Sequence, residues 1–117
     1  MSGSDNRRAR RRRVETVIPV ENAISDRQIG HVGNISSSGM MLISDHPLTP
    51  DGIYQLRMTL PSRGKGEQTI EFGVHEQWGE AANIPGQHWT GFRIIAISES
   101  DAHKLRTWID SPGGSFA

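Results

Sequence analysis

The chain has 117 residues, 34% apolar and 22% charged, with no cysteine. This composition suits one soluble globular domain with a modest core and excludes disulfide and thiolate chemistry. The formal charge of zero hides an asymmetry: residues 1–13 hold six arginines and one acid, a net +5, while residues 14–117 hold seven Lys or Arg against twelve acids, a net −5. A phosphate-bearing partner is drawn to the basic end, whereas the acidic body offers a long polyanion no extended groove. No apolar run approaches the ~18 residues that cross a bilayer. The opening residues are charged and lack the apolar stretch of a signal peptide, so the expectation is a cytoplasmic protein with no membrane insertion.

Residues 1–13 show no apolar periodicity and read as an exposed arginine-rich arm ahead of an ordered domain at 14–110. Thr16-Val17-Ile18-Pro19-Val20 reads as a first strand, with Pro19 indicating an edge or a bulge. Residues 27–35 read as a second, in which Gly30 and Gly33 mark a kink or a close backbone approach. Gly39 leads into the apolar run Met40-Met41-Leu42-Ile43. After the turn Thr49-Pro50-Asp51-Gly52, the apolar Tyr54, Leu56, Met58 and Leu60 alternate with Gln55, Arg57 and Thr59, the period of a sheet with one wet face. A polar loop at 61–66 precedes a strand carrying Ile70, Phe72 and Val74 on one face, which is expected to end at Trp78. Residues 79–87 read as a connection and 88–97 as the last strand.

The period then changes. Ser98-Glu99-Ser100-Asp101 has the form of a helix start with Ser98 as cap, and Ala102, Leu105, Trp108 and Ile109 follow at helical spacing. Ser111-Pro112-Gly113-Gly114 stops the helix, placing it at about 98–110 and leaving 111–117 as a tail. Short, evenly spaced strands with one terminal helix give an all-β domain, a small antiparallel barrel with the helix over one side.

Two clusters carry chemistry. The arginines precede the first strand, and Asn34-x-Ser36-x-x-Gly39 comes directly before the Met-Met-Leu-Ile strand. Near the end, Trp89-Thr90-Gly91-Phe92-Arg93-Ile94 leads into the helix start. In this order the features resemble the PilZ domain family, whose marks are RxxxR and [D/N]xSxxG, over residues 7–110. The resemblance implies a six-stranded antiparallel barrel that binds cyclic di-GMP and passes the signal to a protein partner, with no other cofactor.

The residue types suit that ligand. Arginine's planar fork matches guanine O6 and N7, and it also bonds phosphate and stacks on bases. Asn34 offers both donor and acceptor to a guanine edge. Ser36 can donate to phosphate or base, and Gly39 permits a sharp turn or close approach. The arginine register stays open. Arg7-x-x-x-Arg11 and Arg8-x-x-x-Arg12 both fit the spacing, while anchoring on the first strand points to Arg13 and leaves Ala9 at the other position. The preferred reading takes Arg8 and Arg12 as the pair with Arg13 as a third contact, and keeps Arg7 and Arg11 as further contacts. Trp78 either stacks on a guanine or packs at the barrel rim.

Asn, Ser and Gly are also ordinary turn formers. His31, His46, His75, His88 and His103 form no helical i, i+4 pair, so no metal site is expected. No phosphate-cradling G-x-x-x-x-G-K and no G-x-S-x-G elbow occurs, so no catalysis is expected. The rival to a ligand-binding module is a ligand-independent adaptor that docks a partner in motility or exopolysaccharide production.

Overall fold

The structure, a computed structural model, describes residues 17–61 and 67–111 in full and residues 12–13 and 115–116 by their strand pairing. The described strands are β1 (Arg12–Arg13), β2 (Pro19–Asn22), β3 (Arg27–Ile35), β4 (Gly39–Ser44), β5 (Ile53–Leu60), β6 (Gln68–Ala81), β7 (His88–Ile97) and β8 (Ser115–Phe116). Helix α1 (Glu99–Asp110) follows β7. The strands run in the order β2-β5-β6-β7-β4-β3, and a β2–β3 pairing closes these six into a barrel in which each neighbouring pair is antiparallel. The six-stranded barrel with a C-terminal helix is the architecture expected from the sequence.

Alternation explains which residues line the inside. In β5, Leu56, Met58 and Leu60 are buried while the residues between them are half-buried. They meet Val20, Val32, Leu42, Ile70, Phe72, Val74 and Phe92 in one core. A barrel this small is filled by its own side chains. Tyr54 packs edge-on against Phe92 at 5.9 Å between ring centroids and accepts a hydrogen bond from the Thr49 amide at 2.9 Å.

The helix closes the barrel. Ser98 Oγ accepts from the Asp101 amide at 3.1 Å, as its capping sequence requires, and Asp101 Oδ2 accepts from the Glu71 amide at 3.1 Å. Leu105, Trp108 and Ile109 are buried, and Trp108 Nε1 donates to the Pro61 carbonyl at 2.8 Å. On β5, the Arg57 guanidinium binds Asp26 Oδ1 at 2.6 Å and Glu21 Oε1 at 3.0 Å, tying the β2–β3 turn to β5. Those bonds, to Asp26 first, raise the guanidinium's pKa above its ordinary value.

Three boundaries differ from the sequence reading. The first barrel strand, β2, begins at Pro19, three residues beyond the expected start at Thr16, and it runs to Asn22; Thr16 lies outside the described residues. Strand β6 does not end at Trp78 but continues to Ala81, because Gly79, Glu80 and Ala81 stay paired with Thr90, Trp89 and His88. These residues are exposed, since the hairpin projects beyond the core and their polar character reflects solvent rather than a loop. Finally, two short strands lie where an arm and a tail were expected: Arg12 and Arg13 pair with Ile35 and Asn34 on one edge and with Phe116 and Ser115 on the other.

Leu105 is 1% exposed at the centre of the helix–barrel contact. Leu105→Ala is expected to cost about 2–5 kcal/mol, read as a lower urea midpoint with an unchanged slope.

Candidate functional site

Strict alternation along β3 would place Asn34 inside with Val32 and turn Ile35 out. The opposite is observed: Val32 is 3% and Ile35 0% exposed, although they stand three residues apart. The pairing explains it. Val32 faces Leu42 and Asn34 faces Met41, so Gly33 is an extra residue, a β-bulge that resets the phase. An inserted residue re-aims every side chain beyond it, and here it buries Ile35 and turns Asn34 outward. The methyl end of Met41 lies over Gly33, at 2.5 Å from where a Cβ would stand, so a side chain here would have to displace the end of Met41.

The same device operates two strands away. In β6, Val74 and Glu76 point inward, and alternation would bury Trp78 as well. Glu76 pairs with Phe92 and Trp78 with Gly91, leaving Gln77 as the extra residue. Trp78 therefore emerges on the outer face, 44% exposed, with its indole lying over Gly91, where any side chain would overlap it. The bulge is held from below. Glu76 is buried and its Oε1 accepts from the Asp51 amide at 2.8 Å, while the Glu76 amide donates to the Gly52 carbonyl at 2.9 Å. His75 Nε2 meets Asp51 Oδ1 at 2.5 Å and His75 Nδ1 meets Gln77 Nε2 at 3.0 Å.

Both re-aimed residues lie in one cross-strand row. Trp78 is opposite Gly91, Gly91 opposite Met41, Met41 opposite Asn34, and Asn34 opposite Arg13. With strands ~4.8 Å apart, the backbones of Asn34 and Trp78 are separated by roughly 14 Å of outer surface. Arg12 stands instead opposite the buried Ile35. Arg7, Arg8 and Arg11 lie outside the described residues.

The turn beside this row is built by Ser36. The residue is 2% exposed, and its Oγ accepts from the Ser38 and Gly39 amides, both at 3.2 Å. Its own amide donates to the Gly39 carbonyl at 2.8 Å. Gly39 is required for a different reason: a Cβ there would stand 2.5 Å from the Phe92 carbonyl of β7. The Ile94 amide donates to the Ser38 carbonyl at 2.9 Å, clamping the turn to β7. The close approach expected at Gly39 is thus made by a neighbouring strand.

A PilZ domain family model matches residues 5–111. The chain belongs to the PilZ domain family. This PilZ domain superposes on the Bacillus subtilis inhibitor of motility, MotI/DgrA, with a TM-score of 0.71 at 16% identity, covering 86% of this chain and 47% of that one. It thus spans about half of that protein. It also matches the PilZ domain of YcgR from Escherichia coli, a structure with c-di-GMP, with a TM-score of 0.56 at 12% identity and 87% coverage of both chains. At these identities the likeness establishes the fold. No curated protein sequence matches the chain.

The PilZ domain therefore brings Asn34, Trp78 and the backbone of Arg13 into one row, with Ser36 and Gly39 shaping the adjoining turn. Sequence reasoning missed Arg93, an exposed residue of β7 directly opposite Gly39. The signal was available, because Phe92 and Ile94 flank it as apolar residues of an alternating strand.

Gly39→Ala is expected to destabilise by about 1–3 kcal/mol, as overpacking does, while exposed Ser37→Ala stays within about 0.5 kcal/mol. Thermal denaturation of the two variants checks this. Gly91→Ala is expected to dislodge the indole of Trp78, seen as increased acrylamide quenching of tryptophan fluorescence.

Proposed function

We propose that the outer face carrying Trp78, Asn34 and Arg13 binds cyclic di-GMP, and that ligand binding changes the surface this domain presents to a partner protein. The observation that carries this reading is the row itself. Two bulges, at Gly33 and Gln77, turn an amide and an indole out of the barrel onto the same row. A flat indole seated on a glycine is a stacking platform, since every base has a π-face and such a stack contributes about 1–3 kcal/mol. Asn34 at the other end offers a donor and an acceptor to a guanine edge. The arginine-rich segment supplies positive charge beside it, which a cyclic dinucleotide with two phosphates requires.

The β1–β3 register supports Arg13 as the arginine at Asn34. Arg8 and Arg12 are kept as the pair reaching over the ligand, and Arg7 and Arg11 as auxiliary contacts, on the family's RxxxR spacing and not on this register. Binding draws the segment before Arg12 onto the site, a local ordering driven by charge-assisted contacts. Ser36 acts through the turn, because its hydroxyl is already engaged there and nearly inaccessible. The protein is a binding module of the cytoplasm in this reading, not an enzyme, and needs no cofactor beyond its ligand.

Isothermal titration with cyclic di-GMP tests the reading, and no heat at high-micromolar ligand overturns it in favour of ligand-independent docking. Asn34→Ala, and Arg8→Ala combined with Arg12→Ala, are each expected to weaken binding at least tenfold, about 1.4 kcal/mol, with unchanged circular dichroism. Ser36→Ala is expected to behave differently. It should lower stability by about 1–3 kcal/mol through two unsatisfied turn amides, visible as a lower Tm without ligand.

A further inference from the structure

We infer that Arg93 determines base specificity, reading the O6/N7 edge of a guanine stacked on Trp78; this rests on the cyclic di-GMP reading above. Arg93 lies on β7 between two buried or half-buried inward neighbours, Phe92 and Ile94, and is itself exposed on the outer face. It stands two residues from Gly91, the position the Trp78 indole covers, which is roughly 7 Å along the strand. Trp89 and Arg93 stand two residues either side of Gly91 on that face, and Arg93 is the one on the side of the Ser36–Gly39 turn, where a base lying on the indole would present its edge to it. On the other side, Arg93 is opposite Gly39, where no side chain intervenes before the Ser36–Gly39 turn.

The local backbone is set firmly enough for such a role. The Phe92 carbonyl is in closest approach to Gly39, and the Ile94 amide is bonded to the Ser38 carbonyl, so the residues on both sides of Arg93 are fixed to the turn. Among the described residues Arg93 has no ion pair. Its β6 neighbour, His75, is engaged by Asp51 and Gln77. An exposed guanidinium with no acid partner among the described residues, two positions along β7 from the glycine that the Trp78 indole covers, matches a planar base carrying two adjacent acceptors. Guanine offers that pair at O6 and N7, whereas adenine places a donor where guanine has O6. Lysine's ammonium can also reach this edge, but it is a point charge on a flexible stem without the rigid planar fork.

The test compares the full chain with Arg93→Ala and Arg93→Lys, titrated with cyclic di-GMP and with its 7-deaza-guanine analogue, which lacks N7. Arg93→Ala is expected to weaken cyclic di-GMP binding roughly 5- to 150-fold at unchanged Tm. Arg93→Lys should recover only a minor part of the loss. The penalty for removing N7 should be larger in the native chain than in Arg93→Ala, the coupling expected when one contact is removed from either side. Equal N7 penalties in the two proteins overturn the base-reading role and leave Arg93 as general positive charge. Unchanged affinity in Arg93→Ala overturns it outright. If the native chain itself fails to bind cyclic di-GMP, the parent reading falls and this one with it, which native titration alone distinguishes.

Discussion

Everything in this molecule follows from the phase of side chains around a closed ring of six strands. Inside, there is space only for the ring's own apolar residues, so each strand spends alternate positions on filling it. Any residue that meets another molecule has to occupy the remaining positions, and a strand in regular alternation has no freedom over which residues those are. The bulges at Gly33 and Gln77 restore that freedom locally. Each adds one residue to one strand, and each exchange of phase occurs immediately before a residue whose chemistry suits a nucleotide.

The cost of these irregularities is carried by glycines and by polar groups beneath the sheet. Gly33 and Gly91 lie under the side chains of Met41 and Trp78, so bulky groups lie flat where a Cβ would lift them. The buried Glu76 carboxylate satisfies the amide of Asp51, a non-glycine residue with φ of 60°, and the turn in return satisfies Glu76 through the Gly52 carbonyl. A buried acid with an engaged oxygen is tolerable where a lone one is not. This exchange links the β4–β5 turn to the bulge that sets Trp78.

Much of the fold was legible in the chain. The period-two pattern of residues 54–60 located β5, and Ser98 with the spacing of Leu105, Trp108 and Ile109 located the helix. Asn34, Ser36 and Gly39 stood out as a group. What was hidden depended on register. Nothing in His75-Glu76-Gln77-Trp78 declares which residue is supernumerary, because that is decided by the partner residues Phe92 and Gly91 on another strand. The continuation of β6 to Ala81 was hidden for a related reason: an exposed hairpin has no core-facing residues, so its composition resembles a loop. Ile95 shows the same dependence on register: an apolar residue, it sits at a bulge opposite the Gly73–Val74 step and faces solvent.

The division of labour within Asn34-x-Ser36-x-x-Gly39 bears on how such sequences should be compared. Ser36 ties the turn's amides and Gly39 lets two strands meet, so both are demanded by folding whether or not a nucleotide ever arrives. A descendant that had abandoned its ligand would be under no pressure to lose either. Of the three, Asn34 is the one that the Gly33 bulge turns toward the outer face. Under the proposed cyclic di-GMP reading, the signature mixes an architectural record with a chemical one, and the first position is where the loss of a ligand would be recorded.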